Sequence, residues 1–191
     1  MLTGNNLPRN WRTMEPDLLS DRIDIFIGLM PDRKSDQLDY REFQLVPPVF
    51  ACRSGHPLAQ KPGLTIEDLV NHPYGGSNVP DWFLKQFVDA FPEHFVSISS
   101  LREIFLTTHE LGLLRQLLAY TDIVGLVPEA VIHSELKSGA VQVLAKLDEI
   151  MTVNVTGVVV TREGRSLPPA ATRLSALVLE MAQLGFRQSR Q

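Results

Sequence analysis

The pattern of apolar and polar residues is most regular between residues 105 and 128, where it predicts a strand, a helix and a second strand. Residues 105–107 (FLT) form a short run of residue types that favour strands. Residues 123–127 form an apolar run without alternation, as expected for a strand that is buried on both faces. The helix between them is predicted to turn one apolar face inward, formed by Leu111, Leu113, Leu114, Leu117 and Leu118. This segment therefore predicts a βαβ crossover, the unit from which parallel sheets are built.

The first fifty residues predict a short helix around Leu18 and a strong strand at residues 23–28. A parallel α/β domain normally begins with a strand, whereas this sequence opens with a polar loop and a helix, so we expect it to begin inside a domain. Residues 38–42 are predicted to be a connector. The apolar run that follows is interrupted by Pro47 and Pro48, which cannot donate hydrogen bonds in a sheet. We expect the chain to pass there from one lobe to another.

Local signals mark further helices in the middle of the chain. Thr65 and Asp68 have the spacing of a capping box, which predicts the start of a short helix. Asp81 is predicted to cap a longer helix, whose apolar face contains Phe83 and Phe87. Residues 95–99 are predicted to be a short extended piece that leads into the crossover.

The last third of the chain predicts a long buried strand at residues 153–161 and a closing helix that begins near Pro168. The inward face of that helix is predicted to consist of Leu174, Leu177, Val178, Met181 and Leu184. Strands and helices thus alternate along the chain, which predicts an α/β fold with mostly parallel central sheets.

Composition describes an ordinary globular chain of 191 residues that is 44% hydrophobic and 21% charged, enough for one large domain or two small ones. Its net charge of −4 argues against nucleic acid or an anionic membrane as a direct partner, because phosphate binding needs a concentrated basic face. The single cysteine, Cys52, excludes an internal disulfide and is predicted to be a buried strand thiol. With no apolar leader or membrane-length run, we expect a cytoplasmic protein.

The sequence contains none of the catalytic patterns that could be tested on it. His109 and Glu110 begin the HExxH zinc motif, but the position of its second histidine is occupied by Leu113. Ser77 follows two glycines without forming a GxSxG nucleophile elbow, because Val79 stands where the last glycine belongs. No phosphate-binding or dinucleotide-binding glycine motif is present. We therefore predict no enzyme, no metal and no cofactor.

Polar residues follow the first strand of the predicted crossover, at Thr107, Thr108 and His109. In an open parallel sheet, ligands bind beyond the carboxyl ends of strands, beside helix N-termini whose free N–H groups favour anions by about 0.3 to 1 kcal/mol. These side chains are therefore candidates for binding a small anion. The alternative is that the two threonines only cap the helix that follows.

Five segments occur in the order and approximate spacing of one family. They are residues 18–28 (LLSDRIDIFIG), 53–59 (RSGHPLA), 64–74 (LTIEDLVNHPY), 117–128 with Gly125, and 158–167 (VVVTREGRSL). Together they resemble the effector-binding domain of LysR-type transcriptional regulators, and the resemblance covers nearly the whole chain.

The resemblance implies a two-lobe fold like that of type 2 periplasmic binding proteins. Lobe one would consist of residues 1–46 and 156–191, and lobe two of residues 47–155. A small effector, commonly an anionic metabolite, would bind in the cleft, and the signal would pass to a winged helix-turn-helix that precedes the effector domain. This sequence lacks that helix-turn-helix and also the first strand and helix of lobe one, so DNA would be contacted only through a missing N-terminal domain.

The resemblance also implies which residues line the pocket and how the protein assembles. The matching positions are Asn5, Asn6, Ser77, Asn78, Thr107, Thr108 and His109. Their hydroxyl and amide groups suit a carboxylate, and a protonated His109 would add charge. Family members form dimers and tetramers, so we expect a homodimer or homotetramer, with the helix at residues 111–118 as a candidate contact. A periplasmic-type solute-binding receptor remains the alternative, and it would require a secretion signal.

Overall fold

The structure is a computed structural model that describes residues 12–103, 105–108 and 110–188. These residues form two compact units. One comprises the described residues up to Val46 together with those from Val155 onward, and the other comprises Pro47–Asn154. No helix of the described part is long and apolar enough to cross a lipid bilayer.

The strands are β1 (Phe26–Leu29), β2 (Leu38–Gln44), β3 (Val49–Arg53), β4 (Tyr74–Ser77), β5 (Phe105–Thr108), β6 (Val124–Val127), β7 (Val141–Lys146) and β8 (Thr156–Arg162). The helices are α1 (Met14–Leu19), α2 (Ile66–Val70), α3 (Asp81–Ala90), α4 (Ile98–Glu103), α5 (Leu111–Tyr120), α6 (His133–Ser138), α7 (Leu147–Ile150) and α8 (Pro169–Gln188). Short 3₁₀ turns cover Pro57–Gln60 and Glu129–Ile132.

The described sheet of the first unit has the strand order β1-β8-β2, and both pairings are antiparallel. The sequence had predicted mostly parallel sheets, and in this unit the pairings differ from that expectation. The reason is topological. Strands β1 and β2 point in one direction, and β8, which the chain reaches only after residues 47–154, inserts between them in the opposite direction.

Strand β2 corrects the prediction of a connector at residues 38–42. Leu38 packs with Phe26, Val158 and Val160 in the core of the first unit, and Tyr40 packs partly against the same cluster. The charged residues beside them are at least partly exposed, Asp39 and Arg41 on the opposite face and Glu42 on the same face. The segment is therefore a strand whose apolar alternation is limited to Leu38 and Tyr40 and is obscured by these charged residues.

The sheet of the second unit has the order β5-β4-β6-β3-β7. Strands β5, β4 and β6 run parallel, as the crossover pattern predicted, whereas β3 runs antiparallel to both β6 and β7. The parallel strands are connected by helices, and α5 joins β5 to β6 across the intervening β4. Cys52 is fully buried in β3, as predicted.

Helix α5 packs on this sheet through Leu114 and Leu118, which join Val49, Val127 and Ile132 in one buried cluster. The prediction of a wider inward face is wrong in part. Leu111 and Leu113 are exposed, because the helix lies on the sheet along one line of side chains rather than being surrounded. At Gly125 on β6, an added Cβ would lie only 2.6 Å from Leu118 Cδ2, so the glycine permits this close approach of helix and strand.

Two further predictions for helices are corrected. Residues 98–103, predicted in part to be extended, form α4, whose start is stabilised by reciprocal hydrogen bonds between Ser97 and Ser100. In α8 the buried positions are Ala171 and Ser175 rather than the leucines. The residues predicted to point inward but found between 44% and 61% exposed are Leu174, Leu177, Met181 and Leu184.

Candidate functional site

The carboxyl ends of β4 and β5 lie side by side in the second unit. The parallel register pairs Gly76 with Thr107 and Ser77 with Thr108. Asn78 directly follows β4. The structure thus brings together four of the residues that the sequence singled out, at the edge of the sheet where ligands of parallel α/β folds bind.

Strand alternation separates the two threonines. Successive side chains of a strand point to opposite faces, so Thr108 shares a face with Ser77, and Thr107 lies on the other face beside Gly76. Helix α5 covers the face that carries Ser77 and Thr108, because its Leu118 packs over Gly125 on that same face. The sequence treated Thr107 and Thr108 as one group, but they can reach a common ligand only from opposite sides of the strand.

The two threonines also differ in their hydrogen bonds. Thr108 Oγ1 accepts the backbone N–H of Glu110 at 3.0 Å, so Thr108 forms the turn that leads into α5. The prediction that a threonine caps α5 is wrong, because the N-cap residue is Glu110 and no side chain there accepts an N–H of the helix. Within the described residues, the side chains of Ser77, Asn78 and Thr107 make no hydrogen bond, and all three are at least partly exposed. Their polar groups are available to a ligand.

Arg102 orders the loop between β4 and α3, and sequence reasoning missed it. Its guanidinium donates to the carboxylate of Asp81 at 2.6 Å and to the carbonyl of Val79 at 3.2 Å. Asp81 is consequently the first residue of α3 and an ion-pair partner rather than its cap, and Pro80 occupies the N-cap position. Nothing in the sequence links two residues that lie 21 positions apart.

The glycines of β4 have a packing role. An added Cβ at Gly75 would lie 2.7 Å from Ile123 Cδ1 and 3.2 Å from the carbonyl of Leu106 on the neighbouring strand. Both Gly75 and Gly76 are buried. The space at Gly75 that a side chain would fill is therefore occupied by the protein itself.

Three of the predicted site residues, Asn5, Asn6 and His109, lie outside the described residues. Among the residues that the structure describes, no group of three histidine, cysteine, aspartate or glutamate side chains could hold a metal ion. The described part of the site therefore contains hydroxyl, amide and guanidinium groups, which bind through hydrogen bonds.

Groups with shifted pKa values lie elsewhere in the second unit. Burial raises the pKa of the Cys52 thiol to about 11, so this cysteine is protonated and unreactive at neutral pH. Burial also lowers the pKa of His56 below its usual value, since the ring is almost completely enclosed. His56 is therefore a core histidine, although turn-forming residues flank it in the sequence. Neither group adjoins Ser77 or Thr107 in the strand register.

Comparison with known proteins identifies related sequences. A sequence model of the family described as LysR substrate binding domain matches residues 7–183. The SDS degradation transcriptional activation protein of Pseudomonas sp. (strain ATCC 19151) is 27% identical over 173 residues, which cover 89% of this chain and 54% of that protein. The chain therefore spans about half the length of this relative.

Solved structures share the fold. The effector binding domain of QuiR in complex with shikimate superposes with a TM-score of 0.66 and 15% identity, over 92% of this chain and 79% of that chain. The regulatory domain of Synechocystis PCC6803 CcmR in complex with 2-PG gives a TM-score of 0.64 and 17% identity, over 91% of this chain and 80% of that chain. The predicted α/β fold of the two-lobe, type 2 periplasmic-binding-protein class is thereby confirmed.

Proposed function

The chain belongs to the LysR substrate binding domain family, and on that premise we propose that it binds a small anionic effector and is the sensing part of a transcriptional regulator. DNA would be contacted by a separate domain of the longer protein, and the regulator would act in the cytoplasm. The description of the Pseudomonas relative as a transcriptional activation protein supports this role over that of a solute-binding receptor or an enzyme. The QuiR and CcmR domains, in complex with shikimate and 2-PG, support a small-molecule ligand.

The observation that carries the proposal is a set of polar side chains at the carboxyl ends of β4 and β5 that have no hydrogen-bond partner among the described residues. Ser77, Asn78 and Thr107 offer hydroxyl and amide donors beside the start of α3. Donors of this kind bind carboxylates, and the positive end of the helix dipole adds to the attraction. Thr108 serves mainly to shape the turn.

We propose the complete effector site as this group together with Asn5, Asn6 and His109, which the family resemblance assigns to the pocket. Lobe one would comprise residues 1–46 and 156–191, and lobe two residues 47–155. The division of the chain into compact units after Val46 and after Asn154 supports this assignment.

The proposal is tested by thermal shift of the protein against shikimate and a panel of other small carboxylates. A ligand that binds only the folded state raises the melting temperature. At a concentration of a hundred times its dissociation constant, it adds about 2.7 kcal/mol to the free energy of unfolding. We expect at least one carboxylate to give such a shift and Thr107→Val to reduce it without lowering the melting temperature of the free protein. Thr152→Val, at an exposed threonine outside the site, is the matched control. An unchanged response of Thr107→Val would contradict the assignment of this residue.

We further propose that the chain associates with a second copy through α5 and the edge strand β5. The exposed apolar side chains of this region are Leu106, Leu111, Leu113 and Tyr120. Leu113 and Tyr120, seven positions apart, share one side of the helix, and apolar side chains grouped in this way are typical of an interface. The matching of this chain to a family of multimeric regulators supports the proposal.

A further inference from the structure

Strand β2 is an edge strand of the described sheet of the first unit. The Leu45 N–H donates to the Val155 carbonyl at 2.9 Å, in the register that pairs β2 with β8, so residues 39, 41 and 43 also bond to β8. The residues between them direct their N–H and C=O groups away from β8. At Glu42 and Gln44, these backbone groups have no hydrogen-bond partner among the described residues. The outer edge of β2 is therefore open to another strand.

Helix α8 borders this edge, and a groove of about 320 Å³ lies between the helix and the strand. The apolar residues that line it are Phe43, Leu179 and Ala182. The ring of Phe43 lies so close to Gly157 on β8 that a Cβ at this glycine would collide with it, which fixes the ring as one wall of the groove. The polar residues that line the groove are Arg41, Glu42, Gln44 and Gln183. A groove between an open strand edge and a helix suits an extended peptide, which binds there as an additional strand.

The charges along β2 favour one class of partner. The Glu42 carboxylate is paired with the Lys34 ammonium at 2.7 Å. The side chain of Arg41 is 58% exposed and lies at a longer distance, 3.6 Å, from the carboxylate of Asp39. Two copies of β2 in full antiparallel overlap would oppose Arg41 to Arg41, and like charges directly opposite each other are destabilising. The occupant that fits is instead a peptide of another protein that brings a carboxylate to Arg41.

We propose that β2 and α8 form a docking groove for an extended peptide segment of a partner protein, which adds a strand to the outer edge of β2. Successive side chains of a strand alternate, so peptide residues two positions apart face α8 together. One of them is apolar and enters the groove between Phe43 and Leu179, and the other is acidic and pairs with Arg41. The groove belongs wholly to the first unit, so this proposal is independent of the effector function proposed above.

The test is a nuclear magnetic resonance titration of the ¹⁵N-labelled protein with the peptide acetyl-Thr-Leu-Thr-Glu-Thr-amide, in which leucine and glutamate are two positions apart. We expect saturable chemical-shift changes at the backbone amides of Glu42, Gln44 and Ala182. The same peptide with every backbone nitrogen methylated cannot donate to the edge of β2. It should bind about tenfold more weakly or less, because at least two hydrogen bonds are lost.

Variants of the protein test the two side-chain contacts. Ala182→Phe fills the groove and should abolish the shifts on β2, whereas Ala176→Phe, at an exposed position of the same helix, is the matched control and should retain them. Arg41→Gln keeps the groove open and should weaken binding of the glutamate peptide severalfold, but not that of its glutamine analogue.

Circular dichroism of each variant verifies the fold, and Arg41→Gln decides the matter if Ala182→Phe does not fold. The proposal is overturned if the parent shows no saturable shift on β2, if the methylated peptide binds as tightly as the original, or if a folded Ala182→Phe keeps the response. It is also overturned if Arg41→Gln binds both peptides as the parent does.

Discussion

Among the described residues, Ser175 has a buried side-chain hydroxyl without a hydrogen-bond partner. It is only 2% exposed on the inner face of α8. A buried hydroxyl without a partner costs free energy, and alanine is the better helix former, so Ser175→Ala should stabilise the protein by about 1 kcal/mol. Differential scanning calorimetry should show a melting temperature higher by about 2 to 4 °C.

The control for this change is Ser99→Ala in α4, where the side chain is exposed and only helix propensity changes. The gain at position 175 should exceed the gain at position 99. A loss of stability in Ser175→Ala would mean that the hydroxyl has a partner in solution.

His56 is buried with both ring nitrogens engaged by backbone groups. Nδ1 accepts the Leu58 N–H at 3.1 Å, and Nε2 lies 3.2 Å from the carbonyl of Asp122, to which it donates. The ring is therefore neutral, and protonation would place a proton between Nδ1 and a donor. The charged or titratable groups around it are His72, Asp122 and Arg53, and burial is the largest cause of its lowered pKa.

This environment predicts the pH dependence of stability. Because the folded-state pKa lies below the 6.5 of the unfolded chain, the unfolded state binds more protons as the pH falls below that value. The contribution of His56 is thus fully present above pH 6.5 and is lost progressively below it, which urea denaturation at several pH values should detect. In His56→Asn, whose side-chain oxygen can still accept the Leu58 N–H, the loss should be smaller.

The matched control for the pH series is His133→Asn at an exposed histidine. It should keep the pH dependence of the parent. If the free energy of unfolding falls as steeply below pH 6.5 in His56→Asn as in the parent, the proposed role of His56 is wrong.

Single residues were predictable from the sequence where their partners are close along the chain. The capping box was predicted from spacing, and the Thr65 N–H indeed donates to the Asp68 carboxylate at 3.0 Å. The ion pair of Arg102 with Asp81 and the burial of His56 against Asp122 were not predictable, because both depend on packing between elements distant in sequence. Hydrogen bonds between residues a few positions apart can be predicted from the sequence, whereas these two contacts form only when distant elements pack together.

At the scale of elements, the exposed leucines of α5 make a prediction about association. If α5 and β5 form an interface between copies, Leu113→Glu should weaken it, because a carboxylate buried against apolar side chains is strongly disfavoured. Sedimentation velocity at micromolar concentration should show a parent dimer or tetramer that dissociates in the variant.

Val96→Glu adds the same charge at an exposed apolar side chain outside α5 and β5, and is the control. It should sediment like the parent. A parent protein that is monomeric throughout the concentration range would contradict the proposed interface.

Periodicity predicted the presence of helices and strands more readily than it predicted which of their residues are buried. The pattern in α8 indicated a helix correctly, but Leu174, Leu177, Met181 and Leu184 are exposed, and the small residues Ala171 and Ser175 take the buried positions. Periodicity defines an apolar side of a helix without specifying which packed element faces it. Strand β2 was missed for a related reason, because charged residues conceal its apolar alternation.

At the scale of the whole molecule, the sequence placed Thr107 and Thr108 after the first strand of the crossover, and the family resemblance added Ser77 and Asn78. The parallel pairing of β4 with β5 brings the four together. The sequence could not separate Thr107 from Thr108, since that depends on β5 continuing through Thr108 and alternating its side chains. It also could not show that Thr108 is engaged in the turn before α5. The crossover pattern made the position of Thr107 and Thr108 predictable, whereas strand β4, its pairing with β5 and the directions of the side chains did not follow from the sequence.

The family resemblance was the other source of information at this scale. Five short segments in order predicted membership of the family whose sequence model matches residues 7–183. Each of those segments includes a turn that follows a helix or strand, where backbone conformation restricts which residues fit. The chemical identity of an effector depends instead on loop side chains that vary freely on the same fold.

The central claim is that a small carboxylate binds at the carboxyl ends of β4 and β5. The most direct test is a nuclear magnetic resonance titration of ¹⁵N-labelled protein with shikimate and with each carboxylate that raises the melting temperature. We expect the largest chemical-shift changes at the backbone amides of Ser77, Asn78, Thr107 and Thr108, and smaller changes at those positions in Thr107→Val. Saturable shifts confined to other surfaces, or no saturable shift with any carboxylate, would contradict the claim.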